Sequence, residues 1–273
     1  MREFRTQNLY GRFYDGTKGT VFLLHGLLSS SAEFFDYPER INDVGYSVLS
    51  FDFSGHGKSG GARGYEDIAK NLRDIEAWKN FLEKHGLLRK PLILVGHSLG
   101  GATVIYALAR DMGDAGVAIA PARSIRDLLT PGQRFGFSLL YHLNPIKQAL
   151  TGKPIYVRYK ADYSLLYSDK SAAIKGARAG FLGDKIDIRS YKPLMSVDAG
   201  NEARRVKKPC LVIVPSEDRM VPPEEGKKIY ELLGGEKELY VAKGYGHSVM
   251  GEDKGDVFQK IMEFIEKIAA SSS

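Results

Sequence analysis

Apolar positions along the sequence fall into two alternating patterns. Short continuous runs within "GTVFLLHG", "GYSVLSFDFSG", "LILVGH", "AGVAIAPA" and "KKPCLVIVPSED" read as buried strands. Segments with helical spacing separate them. In "YEDIAKNLRDIEAWKNFLEKHG", Ile68, Leu72, Ile75, Trp78 and Leu82 recur at intervals of four, three, three and four, with Gly86 as a stop. Ser30 to Val44 supplies a connecting helix, and Ala102, Ile105, Tyr106 and Ala109 mark another. "PPEEGKKIYELLGG", "KELYVA" and "DKGDVFQKIMEFIEKIAA" continue as helix, strand and closing helix. Strands joined by helical crossovers predict an α/β fold built on a mostly parallel sheet.

The rhythm breaks between Ala122 and Leu194, where short helical patterns occur without clear strands. Phe135, Phe137, Tyr141, Tyr156, Tyr159, Tyr163, Tyr167, Phe181 and Tyr191 make this stretch aromatic. The expected organisation is a core of residues 1–121 and 195–270, an inserted, mainly helical cap at 122–194, and a disordered tail at 271–273. The aromatic residues allow two readings, the lining of an apolar pocket or the packing of the insertion on the core.

Composition narrows the class. The sequence has 273 residues, 43% of them hydrophobic, enough for a sizeable core. A single cysteine, Cys210, excludes an internal disulfide and suits a reducing compartment. "MREFRTQNLYG" has no apolar stretch of signal-peptide length, and no apolar run approaches the roughly 18 residues of a transmembrane helix. A soluble, cytoplasmic protein is expected. The net charge of +6 is scattered, and its densest run, "RRVKK" at Arg204 to Lys208, reads as a solvated helix end. Nucleic acid is therefore not an expected partner. Lys147, Lys153, Arg158 and Lys160 suit an anion, although a solvated face is the simpler reading.

Chemistry enters at "LILVGHSLGGATVIYALAR", where Ser98 stands between Gly96 and Gly100 as a strand-like run becomes a helix. A turn this sharp needs small neighbours, and it lifts the serine hydroxyl above the carboxyl end of the sheet. The helix N-terminus beneath it favours a developing oxyanion. Such a serine needs a base, and the base needs an orienting carboxylate. Among six histidines, only His247 falls late, in the loop "KGYGHSVMGED" after the last strand. "LVIVPSEDRMVPP" offers Glu217 and Asp218 at a strand end, and the turn favours Asp218. The order Ser98, Asp218, His247 is that of an α/β-hydrolase triad.

Together with "HGLLSS", "FDFSGHGKSGG", "GHSLGG", "PSEDRMVPP" and "GYGHS", these residues resemble the α/β-hydrolase superfamily. Within it the sequence is similar to the monoacylglycerol lipase, lysophospholipase and carboxylesterase group. The resemblance implies an oxyanion hole from the backbone N–H groups of Leu27 and Leu99. It assigns Asp52 and His56 to a structural loop and makes the insertion a cap over the site. It also implies a serine carboxylesterase or monoacylglycerol lipase-like enzyme (EC 3.1.1), and the expected substrates are short to medium acyl or monoacylglycerol-like esters cleaved through an acyl-enzyme on Ser98, with no cofactor and no metal. A serine aminopeptidase, a cofactor-free haloperoxidase and a carbon–carbon hydrolase share the triad. A non-catalytic binding protein on this scaffold would be expected to lack a triad member, and none is missing.

Overall fold

The computed structural model describes residues 1–271. Its ten strands are β1 (Arg2–Thr6), β2 (Leu9–Tyr14), β3 (Thr20–Leu24), β4 (Ser47–Asp52), β5 (Leu92–His97), β6 (Ala115–Ile119), β7 (Tyr156–Arg158), β8 (Lys185–Asp187), β9 (Cys210–Pro215) and β10 (Lys237–Ala242). Eight form one sheet in the order β1-β2-β4-β3-β5-β6-β9-β10. From β4 to β10 the neighbours are parallel, whereas β1, β2 and β4 pair antiparallel. The expected mostly parallel α/β sheet is thus present. The N-terminal hairpin is an addition: Gln7 and Asn8 turn it with φ of 48° and 71°, the left-handed angles that a two-residue hairpin needs.

Alternation along each strand divides the core between the two faces of the sheet. Val21, Leu23, Ile93, Val95, Val117, Ile119, Leu211 and Ile213 join one apolar cluster with Ile261, Ile265 and Ile268 of the closing helix Asp256–Ser271. Phe22, Leu24, Leu92, Leu94, Val212 and Val214 join the other, with the helices Ile68–Lys84, Leu99–Leu108 and Pro223–Leu232. Ile68–Lys84 begins where the Asp67 carboxylate accepts from Ala69 N–H at 2.9 Å, and Gly86 follows it at φ 66°. Its Trp78 is fully buried, with its ring centroid 6.0 Å from that of Phe51.

Between β6 and β9 the polypeptide leaves the sheet. The segment is mainly helical, with Pro131–Thr151 as its longest element, capped reciprocally by Thr130 and Gln133 and followed by Gly152 at φ 69°. Against the expectation of no strands, β7 and β8 pair there as a separate antiparallel ribbon. Each is only three residues long, too short to leave a periodic signal in the sequence. The long helix turns Phe137 toward a cavity and stacks Tyr141 on Tyr191. Its opposite side exposes Phe135, Leu139, Leu143, Ile146 and Leu150 to solvent. The aromatic residues therefore divide among lining, packing and exposure. The expected tail at 271–273 is corrected at its first residue: Ser271 completes the closing helix, its Oγ donating to the Ile268 carbonyl, and residues 272–273 lie outside the described part. Among the described residues no helix is long and apolar enough to cross a membrane.

The burial of Trp78 gives a test of this packing. Trp78→Ala is expected to lower unfolding free energy by about 3–5 kcal/mol, measured by urea titration followed by circular dichroism. A loss below about 1 kcal/mol would contradict a tightly filled core at this position.

Candidate active site

β5 runs into the helix Leu99–Leu108 with no loop between them, and Ser98 alone makes the turn, at φ 56° and ψ −117°. A non-glycine residue held there stores about 1–3 kcal/mol of strain, which the surroundings must offset. They do so by close approach. A Cβ on Gly96 would stand 2.2 Å from the Gly100 carbonyl oxygen, and one on Gly100 would stand 2.0 Å from that of Leu24. Only glycine fits at either position. Ser98 N–H donates to the Ile119 carbonyl at 2.9 Å, and its own carbonyl accepts from Ala102 N–H at 3.0 Å.

Asp218 lies in the loop after β9 and is buried, whereas the neighbouring Glu217 is exposed. Its Oδ1 accepts from the N–H groups of Met220 and Val221, both at 2.8 Å, and its Oδ2 stands 2.7 Å from His247 Nδ1. A carboxylate only accepts, so the proton between them sits on Nδ1 and Nε2 is left as the basic nitrogen. Ser98, His247, Leu27 and Leu99 all line one cavity of about 580 Å³. Ser98 Oγ makes no hydrogen bond among the described residues, a looseness common before substrate closes such a site.

The backbone donors around the serine are sorted in an informative way. Gly26 N–H donates to Glu33 at 2.8 Å and Leu28 N–H to Glu66 at 2.6 Å. Leu27 N–H between them, and Leu99 N–H in the first helical turn, donate to nothing among the described residues. Two free donors thus border the cavity beside Ser98, as an oxyanion hole requires.

The remaining candidates have structural partners. Asp52 accepts from Ser31 N–H at 2.8 Å and Lys58 N–H at 2.7 Å, fixing the turn after β4. His56 Nε2 lies 2.8 Å from Glu66. Burial alone would raise the Glu66 carboxyl, but His56 and the N–H of Leu28 outweigh it and bring the pKa to about 2. His25 donates from Nδ1 to the Gly26 carbonyl and accepts at Nε2 from Phe53 N–H; burial, then His56, hold its pKa down. His85 and His142 each cap a carbonyl on an exposed helix surface. Burial pushes the Cys210 thiol up to about 12, so it is no thiolate nucleophile. Of the basic residues singled out, Arg158 lines the cavity, and Arg219 joins it. Among the described residues no three His, Cys, Asp or Glu side chains gather into a metal site.

Sequence reasoning does not reach Glu33, Glu66 or Glu252. Each is a carboxylate with at least one partner from a distant part of the sequence, His97 for Glu33, Leu28 for Glu66 and Ser168 for Glu252. Glu252 accepts from Gly246 N–H, just before His247, and from Ser168 N–H at 3.0 Å in the inserted segment. No motif marks any of them.

Comparison with known proteins now bears on this geometry. A family model described as "Serine aminopeptidase, S33" matches residues 15–254. The chain belongs to this family. It is an α/β-hydrolase with relatives among the monoacylglycerol lipases. This hydrolase is 27% identical over 248 residues to the Monoacylglycerol lipase of Mycolicibacterium smegmatis, a match that covers 86% of this protein and 83% of that one. It is 25% identical over 286 residues to Polyketide transferase ATR5 of Stachybotrys chlorohalonatus, covering 97% and 96%. The crystal structure of Paleococcus ferrophilus monoacylglycerol lipase matches it with a TM-score of 0.77 at 27% identity, over 96% of this protein and 98% of that one.

The asymmetry between the two neighbouring acids gives a test. Asp218→Asn is expected to cut hydrolytic turnover by about 10⁴, as loss of the orienting acid does in a serine protease, while Glu217→Gln stays within about twofold. Comparable losses in both variants would contradict the arrangement.

Proposed function

We propose that this hydrolase cleaves carboxylic esters of short to medium acyl length, monoacylglycerol-like ones included, through an acyl-enzyme on Ser98. The observation that carries the reading is the buried Asp218–His247 contact at 2.7 Å, with His247 lining the same cavity as a serine held at φ 56°. His247 Nε2 takes the proton of Ser98 Oγ as that oxygen attacks the ester carbonyl. The N–H groups of Leu27 and Leu99 hold the oxyanion. His247 then protonates the leaving alcohol, and water repeats the sequence on the acyl-enzyme. Asp218 orients the imidazole and stabilises its charge throughout. The inserted segment acts as a cap, because Phe137, Val157, Ile186 and Tyr191 contribute the far wall of the cavity.

The family description names an aminopeptidase, and the charge around the cavity argues against an amine-bearing substrate. A free carboxylate would have to meet the substrate's ammonium. The acidic residues lining the cavity are Glu33, which stands 3.4 Å from His97 Nδ1, and Asp187, which is paired with Arg189. Asp162 and Asp169 cap the helices Tyr163–Leu166 and Lys170–Ala179. Between residues 122 and 194 thirteen lysines and arginines stand against five aspartates, so the cap repels a cation. An uncharged or anionic ester suits it better.

Two measurements test the reading. Ser98→Ala is expected to fold normally, to lose ester hydrolysis and to escape labelling by a fluorophosphonate that marks the wild type; near-wild-type activity would overturn it. Across 4-nitrophenyl esters, each methylene that enters the apolar slot contributes about 0.8 kcal/mol, or roughly fourfold in kcat/KM, until the slot is full. A flat profile, or faster cleavage of an aminoacyl anilide than of any ester, would favour the peptidase reading instead.

A further inference from the structure

Besides Asp218–His247 and Glu66–His56, a further buried acid–imidazole pair stands next to the serine. Glu33, in the turn Ser31–Phe34, and His97, the residue before Ser98, are both buried and both border the cavity. His97 Nδ1 lies 3.4 Å from Glu33 Oε1, and His97 Nε2 lies 2.9 Å from the backbone carbonyl oxygen of His247. Glu33 also accepts from Gly26 N–H at 2.8 Å and from Ser29 Oγ at 2.5 Å. A path of contacts therefore runs from the loop of Leu27, through Glu33 and His97, to the backbone of His247. The packing along it is close: a Cβ on Gly26 would lie 3.2 Å from Ser98 Cβ and 3.5 Å from His97 Nδ1.

We infer that Glu33 and His97 are positioning residues that hold the oxyanion loop, the serine turn and the histidine loop in one register for the reaction at Ser98. This rests on the serine-hydrolase reading of the site. Three separate connections must meet within fractions of an ångström for the triad and the oxyanion donors to act on one carbonyl, and a misplacement of about 1 Å costs on the order of 10²-fold. The main sheet fixes where β3 and β5 end. It does not fix the loop after β10, whose His247 carbonyl is reached by the His97 side chain.

The protonation state follows from the contacts. His97 Nε2 lies against a carbonyl oxygen and Nδ1 stands at ion-pair distance from a carboxylate, an arrangement that favours the charged ring. Burial alone would lower the His97 pKa, but Glu33 outweighs it and raises it; burial would raise Glu33, and the His97 charge brings it below its ordinary range. The charged and titratable groups facing the pair are His247 and Asp218 on the histidine side, His25 just after β3, and Tyr167 of the inserted segment. A raised pKa means that the charged contact persists to higher pH than for a free imidazole and is lost as pH rises through the folded value.

The experiment compares wild type, Glu33→Gln, His97→Gln and the double variant in steady-state ester hydrolysis from about pH 6 to pH 10, the span that brackets a raised histidine pKa. Either single variant is expected to lose roughly 10- to 100-fold in kcat with KM within about twofold. The double variant should lose no more than the worse single one, because the two act as one unit. In Glu33→Gln the alkaline fall of kcat should move toward neutral pH, since His97 loses the anion that keeps it charged. A purely structural pair would lower Tm and leave that limb in place. Wild-type kcat with an unmoved limb in Glu33→Gln, or losses that multiply in the double variant, would overturn the inference; if Glu33→Gln does not fold, a wild-type kcat in His97→Gln does so alone. Fluorophosphonate labelling of wild-type Ser98 separates the two levels: its absence overturns the serine reading, whereas normal labelling with unaffected variants overturns only the role of the pair.

Discussion

The close approach of the helix Leu99–Leu108 to the end of β3 constrains everything built around it. With Gly100 seated so near Leu24 that a Cβ would stand 2.0 Å from its carbonyl oxygen, no space is left for a loop between β5 and the helix. One residue must absorb the change of direction. Ser98 does so at φ 56°, a conformation that costs about 1–3 kcal/mol and is held by hydrogen bonds on both sides. The same approach brings Leu27, just beyond β3, alongside the first turn of the helix, so the constraint that strains the serine also assembles the donors beside it.

Buried carboxylates complete the arrangement, each matched to its own set of donors. Asp218 holds His247, Glu33 holds Gly26 and faces His97, Glu66 holds Leu28 and faces His56, and Asp52 holds Ser31 and Lys58. A buried charge without partners would cost several kcal/mol, so each of these acids fixes its loop strongly. Beside the serine, the N–H groups of Leu27 and Leu99 donate to nothing among the described residues, and the neighbours of Leu27 on both sides are engaged. The cavity has apolar walls and matched acids, and among the described residues the unpaired charges on its lining are those of Arg158 and Arg219.

Much of this is legible in the sequence because burial writes itself into composition. The central strands are continuous apolar runs, and the helix of Trp78 is a clean periodic stripe. Gly96 and Gly100 mark the turn, and the residues after Asp218 present the N–H groups of Met220 and Val221 that distinguish it from Glu217. The hairpin of β1 and β2 is hidden because its edge strand is polar and largely exposed. The ribbon of β7 and β8 is hidden by its length. Glu33 and Glu66 escape detection because nothing local marks the one as facing His97 or the other as holding Leu28, and a lone glutamate in a turn or ahead of a helix looks solvated until the fold closes over it. The apolar residues on the outer side of Pro131–Thr151 stay ambiguous between pocket and packing, since sequence shows hydrophobicity and not which side of a helix faces inward.

The central claim is that the strained serine becomes covalently acylated. It is tested most directly by quenching the enzyme in acid within its first turnovers of a 4-nitrophenyl ester and measuring the mass of the intact protein and of its peptides. The account predicts a burst of nitrophenolate equal to the enzyme present, and a mass gain of one acyl group on the peptide that contains Ser98. Turnover with no adduct under conditions where deacylation is slow, or an adduct on any other residue, would contradict it.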